Sequence, residues 1–143
     1  MKVKIKRYDN SLPLPSYKTS GAAAVDLYSR GSTTIKPQQV EYIPLNIAVA
    51  IPSGNWGLLV ARSSLHKMGL MLINGIGVID SDYSGDADEV KLAVFNFTAD
   101  TVIIENGTRV AQMIILPTET IEWIESESLS EASRGGFGST GEK

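Results

Sequence analysis

The sequence contains no cysteine and only one histidine among its 143 residues. The absence of cysteine excludes a disulfide framework and any metal site built on thiolates. A single histidine cannot supply the cage of imidazole ligands that holds zinc in many proteins. Disulfide-stabilised folds and zinc enzymes of the histidine type are therefore not indicated.

Long apolar runs and an excess of basic charge are also missing. No apolar stretch approaches the ~20 residues that cross a bilayer, and residues 1–7 alternate charged and apolar side chains where a secretory signal would be apolar. The formal net charge is −3, whereas nucleic-acid polymers are bound by concentrated lysine and arginine. We therefore expect a cytoplasmic protein that binds no membrane and no nucleic-acid polymer, although a few arginines and a metal ion can hold a small nucleotide.

Short apolar segments, separated by glycine, proline, asparagine and aspartate, make up most of the chain. They predict strands at residues 3–5, 22–28, 32–35, 40–43, 46–51, 56–61, 69–73, 90–98, 101–104 and 109–117. Many short strands with turns between them are typical of an all-β sandwich, jelly roll or barrel. Only residues 63–68 resemble a helical turn, for which Ser63 or Ser64 is the expected N-cap.

The stretch from residue 77 to residue 85 is an apolar run that ends in Asp80, Asp82 and Tyr83. Unpaired carboxylates are costly to bury, so this segment belongs to a site or a turn. Just upstream, Asn74-Gly75 is a strong hairpin signal. We therefore predict a β-hairpin that presents the Asn74 amide at its tip.

The composition changes near the C-terminus. Residues 125–133 are polar and acidic, and residues 134–141 place four glycines around Arg134 and Phe137. One interpretation is a disordered tail. The other, which we adopt, is a β domain over residues 1–124 followed by a flexible arm, 125–143, that closes over phosphate groups.

Five segments resemble, in order, the motifs of the trimeric deoxyuridine triphosphatases (dUTPases). They are residues 21–28 (GAAAVDLY), 61–65 (ARSSL), 77–85 (GVIDSDYSG), 107–112 (GTRVAQ) and 134–141 (RGGFGSTG). Ser64 replaces the usual glycine, Arg134 stands three rather than five residues before Phe137, and the acidic run 86–89 looks like a short insertion. The resemblance implies a distorted jelly roll of the dUTPase-like β-clip type, with one short helix and a flexible arm.

The resemblance also implies an activity, the hydrolysis of dUTP to dUMP and pyrophosphate, which keeps uracil out of DNA and supplies dUMP for thymidylate synthesis. Asp80 would activate the water that attacks the α-phosphorus, and Asp82 is its rival. Mg²⁺ would be held mainly by phosphates and water, with Asp26 and Gln112 acting through water. Asp26 has a simpler alternative role, an ion pair with Arg62 or Arg109, and Gln112 can be an exposed polar residue.

The remaining implied contacts are with the substrate. The Asn74 amide and the backbone of the third motif would read uracil, Tyr83 would exclude a 2′-hydroxyl, and Phe137 would stack on the base. The implied substrate-binding residues are Arg62, Ser63, Ser64, Asn74, Gly77, Val78, Ile79, Tyr83, Lys91, Gln112, Arg134, Phe137, Gly138, Ser139 and Thr140.

The motifs are scattered along the chain, and the resemblance implies a homotrimer whose sites lie between subunits. Two other functions remain open. A dCTP deaminase shares the fold, but Ala93 stands where such enzymes have a catalytic glutamate. A non-catalytic protein that senses nucleotides would use the same pocket to control a partner.

Overall fold

The computed structural model describes residues 1–133, and their regular structure is almost entirely β-strand. The strands are β1 (Lys4–Arg7), β2 (Val25–Tyr28), β3 (Thr33–Ile35), β4 (Val40–Pro44), β5 (Ile47–Ala50), β6 (Asn55–Ala61), β7 (Leu70–Leu72), β8 (Gly77–Ile79), β9 (Lys91–Asn96), β10 (Val102–Ile104) and β11 (Arg109–Pro117). A single 3₁₀ turn, Leu65–Met68, lies between β6 and β7. No helix in this part of the chain is long and apolar enough to cross a bilayer. The predicted all-β fold with one short helix is confirmed.

The strands form antiparallel sheets that enclose one core. A four-stranded sheet has the order β2-β11-β6-β8 and a three-stranded sheet the order β4-β9-β7, while β1 pairs with β5 and β10 with β3. Most hydrogen-bonded neighbours are distant in sequence, as expected for a jelly-roll sandwich. The site described below is built at the two ends of the four-stranded sheet.

The core is made by strands that alternate buried and less buried residues. In β9, Leu92, Val94 and Asn96 are buried and the residues between them are not. Leu27 from β2 and Leu59 from β6 contribute to the same core cluster. Full burial of such an aliphatic side chain stabilises the fold by roughly 1.5–3 kcal/mol, so the sheets are held together mainly by apolar packing.

The prediction of a β-hairpin at Asn74-Gly75 is wrong in its strand pairing. The turn is present, because Gly75 has φ +71° and its N–H donates to the Leu72 carbonyl at 3.3 Å. However, β7 pairs with β9 whereas β8 pairs with β6, so the turn joins two different sheets. An Asn-Gly pair favours a tight turn but does not determine the partners of the flanking strands. Here β7 and β8 each extend a sheet that already contains a longer strand.

Asn96 is a polar residue inside this core, with none of its surface exposed. Its Nδ2 donates to the carbonyls of Ile35 at 3.0 Å and Asp100 at 2.8 Å. Its Oδ1 accepts from the N–H of Thr98 at 2.9 Å and from the Thr98 hydroxyl at 2.7 Å. The amide therefore joins the end of β9 to β3 and to the following turn, and both its nitrogen and its oxygen are hydrogen-bonded.

We predict that Asn96→Ala lowers the free energy of unfolding by about 2–4 kcal/mol, because it leaves buried carbonyl groups without donors. Urea denaturation measures the change. The matched control is Asn10→Ala, an exposed asparagine, for which we expect less than about 0.5 kcal/mol. An effect of Asn96→Ala no larger than that of the control would contradict the assignment.

Candidate active site

Asp80 stands at the point where β8 ends. It is exposed, and its carbonyl accepts the N–H of Tyr83 at 3.2 Å, which closes a turn directly after the strand. The carbonyl of Asp82 accepts the N–H of Ser84 at 2.9 Å. The carboxylates thus lie at the surface, as the cost of burying an unpaired charge requires.

A pocket of about 240 Å³ brings most of the third motif together. Its lining residues are Val78, Ile79, Asp80, Tyr83, Val90 and Lys91. The Tyr83 hydroxyl donates to the Glu89 carbonyl at 3.1 Å, so the ring is held from its far end. Asn74, also predicted for this site, lies exposed in the turn before β8. It is not among the residues that line this pocket in the described part of the chain.

Asp80 also borders a second, larger pocket. This space of about 550 Å³ is lined by Asn55, Trp56, Val78, Asp80, Ser81, Asp82 and Thr118. Asp80 and Val78 line both pockets, whereas Asp82 lines only the larger one. Of the two aspartates, only Asp80 therefore borders both pockets.

Asp26 forms a pair of ion contacts with two arginines. Its Oδ1 accepts from Arg62 Nε at 3.1 Å and its Oδ2 from Arg109 Nη1 at 3.0 Å. The side chain of Asp26 is 12% exposed, against 27% for Arg62 and 43% for Arg109. The ion pair that the sequence left as an alternative is thus present, with both arginines involved.

Gln112 lies directly opposite Asp26 in the β2–β11 ladder. Both residues line a pocket of about 270 Å³ together with Lys18 and the alanines of the first motif. The Gln112 Nε2 donates to the Ala61 carbonyl at 3.4 Å. Asp26 can accept further hydrogen bonds besides those from the arginines, because each carboxylate oxygen has two lone pairs. This donor set fits water-mediated contact with a cation rather than direct coordination, and no three acidic or histidine side chains among residues 1–133 converge on a metal position.

The predicted N-cap position is confirmed at Ser64, although its side chain makes no capping hydrogen bond. The turn begins at Leu65 as a short 3₁₀ segment, and Ser64 occupies the N-cap position with φ −90° and ψ −5°. An N-cap residue normally has extended backbone angles, which let its side chain reach the second or third N–H of the helix. Ser64 lies in the helical region and makes no side-chain cap hydrogen bond. Ser63, the other candidate, is exposed.

The two groups of residues lie at opposite ends of β6. The residue before Asp80 pairs with Gly57, whereas Arg62 directly follows Ala61. At about 3.3 Å per residue, Gly57 and Ala61 are roughly 13 Å apart along the strand. Asp26 lies on β2, three strand positions from β8, which adds about 14 Å across the sheet. Asp80 and Asp26 of one chain are thus roughly 20 Å apart, too far to act on one phosphate group.

Arg30 and Glu89 form a contact that the sequence motifs did not single out. Arg30 donates from Nε to Oε1 at 2.7 Å and from Nη2 to Oε2 at 2.6 Å. Hydrogen bonding to Glu89 raises the pKa of Arg30. The pKa of the nearby Tyr8 is also raised, mainly by burial and secondly by the negative charge of Glu89. Glu89 belongs to the acidic run interpreted as an insertion, but it is buried. Its only sequence signal is its place directly before the apolar Val90.

The predicted arm residues Arg134, Phe137, Gly138, Ser139 and Thr140 lie outside the described residues.

Comparison with known proteins gives a consistent result. A sequence model of the family described as dUTPase matches residues 10–141. The deoxyuridine 5'-triphosphate nucleotidohydrolase of Desulfitobacterium hafniense is 44% identical over 149 residues, which covers 99% of this chain and 97% of that protein.

Solved structures agree with the fold. The dUTPase from Streptococcus mutans matches with a TM-score of 0.76 and 30% identity, covering 83% of this chain and 98% of that one. The dUTPase of Staphylococcus bacteriophage 80alpha with dUPNHPP matches with a TM-score of 0.85 over 98% of both chains, at 24% identity. At that identity the second match supports the fold alone.

We predict that Asp26→Asn lowers the free energy of unfolding by about 1–2 kcal/mol, since it leaves two partly buried arginines without their carboxylate. Chemical denaturation checks the value. Asp100→Asn serves as the control, because Asp100 is exposed and we expect a change below about 0.5 kcal/mol. Equal stability of the two variants would mean that the arginines do not depend on Asp26.

Proposed function

The chain belongs to the dUTPase family and hydrolyses dUTP to dUMP and pyrophosphate, and we propose how its residues divide that work. Cleavage between the α and β phosphates requires an activated water, neutralised charge, in-line placement and selection of the base. The observation that carries the proposal is the pocket of about 240 Å³ bordered together by Val78, Asp80, Tyr83 and Lys91.

Asp80 is the proposed general base. It is exposed at the end of β8 and borders both pockets. A nucleotide whose pyrimidine and sugar occupy the smaller pocket would leave room for a water beside this carboxylate. The carboxylate would orient that water and accept its proton as the water oxygen attacks the α-phosphorus. Asp82 borders only the larger pocket, which supports Asp80 over its rival.

Strand β8 is the proposed reader of uracil, through the backbone of Gly77, Val78 and Ile79. Among the described strands it pairs with β6 alone, so its other edge carries unpaired N–H and C=O groups. Uracil offers an acceptor at O4 beside a donor at N3, and cytosine reverses both. An edge that satisfies uracil leaves polar groups unpaired against cytosine, and such sites can reject the wrong ligand by ~10⁴-fold or more. The Asn74 amide would reach this edge from the preceding turn.

Tyr83 is the proposed sugar contact. Its ring borders the pocket while its hydroxyl is held by the Glu89 carbonyl, so the ring face can lie flat against the deoxyribose. A ring fixed there leaves no space for a 2′-hydroxyl. Lys91 lines the same pocket and would contribute to the sugar side, while Phe137 from the arm would stack on the base.

Mg²⁺ is the proposed cofactor, held mostly by the phosphates and by water because it prefers oxygen ligands and dehydrates reluctantly. Asp26 and Gln112 share one pocket and would hold its water shell. The ion, when bound, neutralises phosphate charge. The Asp26 oxygens already accept from two arginines, which supports contact through water.

The second motif is the proposed site for the phosphate chain. Arg62 is half-buried and held by Asp26, so the guanidinium has a defined position from which its remaining N–H groups can donate to phosphate. Ser63 is exposed and the Ser64 hydroxyl makes no cap hydrogen bond, so both hydroxyls can donate to phosphate oxygens. Charge that develops on the leaving group would be stabilised there.

The arm is the proposed cover of the site. We retain the division into a β domain, residues 1–124, and an arm, residues 125–143. Arg134, Gly138, Ser139 and Thr140 would close over the phosphates and exclude bulk water.

A homotrimer with sites between subunits is the proposed assembly. Asp80 and the Asp26 cluster of one chain lie roughly 20 Å apart, so a complete site needs one group from each of two chains. The outer face of the four-stranded sheet carries an apolar row, since Val78, Leu58 and Ile114 are paired across β8, β6 and β11. An apolar row of this kind on an otherwise solvent-facing sheet marks an interface. After β11, Trp123 and Ile124 are each 87% exposed, as expected of a segment that packs on a neighbour.

The activity is tested by incubating the full chain with Mg²⁺ and dUTP, dCTP or dTTP. Pyrophosphate released from dUTP alone supports the proposal. Formation of dUTP from dCTP would instead identify a deaminase, for which Ala93 offers no acid or base. Tight dUTP binding without turnover would identify a nucleotide-sensing protein.

We predict that Asp80→Asn lowers kcat for dUTP by about 10²–10⁴-fold, the usual contribution of a general base, with nucleotide affinity within about threefold of the wild-type value. Pyrophosphate release and equilibrium binding measure the two quantities. Asp82→Asn is the matched control and should retain most of the activity. A larger loss in Asp82→Asn than in Asp80→Asn would reverse the assignment.

We predict that Ile114→Lys disrupts assembly, because it places a charge within the apolar outer face. Light scattering should give three times 15.4 kDa for the wild type and a smaller mass, with little activity, for the variant. Ile103→Lys is the control, since Ile103 is 55% exposed on β10, outside this face. A fully active monomer would contradict the shared site.

A further inference from the structure

The Tyr83 side chain is held by a residue further along the same loop. Tyr83 lines the pocket beside Asp80, and its hydroxyl donates to the main-chain carbonyl of Glu89 at 3.1 Å. The position of the ring therefore depends on the position of residue 89.

Glu89 is itself fixed by its side chain, which is 7% exposed. Arg30 binds both carboxylate oxygens, at 2.7 and 2.6 Å. The backbone N–H of Asn46 donates to Oε1 at 3.0 Å, and the next residue, Val90, donates its N–H to the Ile47 carbonyl at 2.8 Å. A planar guanidinium bound at two points fixes direction as well as distance, so residue 89 has little freedom to move.

Arg30 also braces the outer part of the same loop. Its guanidinium carbon lies 5.4 Å from the centre of the Tyr8 ring, and the Tyr8 hydroxyl donates to the Asp86 carbonyl at 2.8 Å. Lys6 reaches that carbonyl too, at 2.8 Å. The loop is thus anchored at Asp86 and at Glu89, and of these two residues only Glu89 is hydrogen-bonded to the Tyr83 side chain.

We propose that Arg30 is a positioning residue that acts through Glu89 on Tyr83 and thereby sets the discrimination between deoxyribose and ribose. The proposal rests on the role proposed above for Tyr83. Exclusion of a single hydroxyl by steric contact requires the excluding group to be held within about 0.5 Å. Arg30 does not touch the nucleotide, and its effect appears in substrate choice rather than in turnover.

The experiment is a double-mutant cycle read on two substrates. The variants are Arg30→Met, Arg30→Lys, Tyr83→Phe and the double variant Arg30→Met with Tyr83→Phe, and kcat/KM is measured for dUTP and for UTP. We expect the ratio of the two kcat/KM values to fall roughly tenfold in Arg30→Met and in Tyr83→Phe, within the range that a single steric contact can supply. Arg30→Lys, which retains the charge but loses the two-point contact, should fall between.

The double variant separates positioning from simple destabilisation. If Arg30 acts through the Tyr83 hydroxyl, removing both changes the ratio no more than removing either one. Lys6→Met is the control, because it removes a contact to the same loop that does not lead to Tyr83, and its ratio should stay within about twofold of the wild-type value.

Three results would overturn the proposal: an unchanged ratio in Arg30→Met or in Tyr83→Phe, a ratio in the double variant that falls by the product of the single effects, or equal loss of both activities. Arg30→Lys keeps the buried pair charged and carries the test if Arg30→Met does not fold. A wild-type protein that hydrolyses no dUTP, or prefers it no more than UTP, would refute the proposed function itself.

Discussion

Strand β6 separates Asp80 from the cluster of Asp26, Arg62 and Arg109, and the placement of every other candidate site residue depends on that separation. One end of the strand pairs with β8 and so positions Asp80, while the other end leads into Arg62 and the Asp26 cluster. A stiff sheet cannot fold back to bring its two ends together. Under the proposed function, the fold therefore provides two half-sites at opposite ends of one sheet, and the proposed trimer would complete each one from a second chain. The apolar outer face of the same sheet is consistent with this need.

Among the described residues, each buried side-chain nitrogen or oxygen has a hydrogen-bond partner. Asn96 closes a turn against β3, Asp26 holds two arginines, and Glu89 accepts from Arg30 and from a backbone N–H. Each group has at least one partner that is distant in sequence. The polar contacts thus specify which parts of the chain meet, while apolar packing supplies most of the stability.

Sequence reasoning predicted the strands well, because alternation and turn residues are local signals. The pairing at Asn74-Gly75 was wrong, since a turn signal carries no information about which sheet each flanking strand joins. The N-cap position of Ser64 follows from the sequence, but the absence of its capping hydrogen bond does not, because a 3₁₀ turn differs from a helix start only in backbone angles. The Arg30–Glu89 contact could not be predicted, since the two residues are 59 positions apart and meet only after the sheets have formed. Asp80 and Tyr83 stay predicted site residues, singled out because an acidic turn after an apolar strand is unusual in itself.

The unpaired edge of β8 also carries a risk of aggregation. Exposed strand edges are templates for pairing with other chains and hence for aggregation. Here the edge is only Gly77–Ile79, a turn with Asn74 precedes it and a charged side chain follows it immediately. Short length and flanking charge are the features by which natural sheets discourage unwanted pairing. The carboxylate of residue 80 thus also discourages pairing of this edge with other chains and favours the colloidal stability of the folded protein.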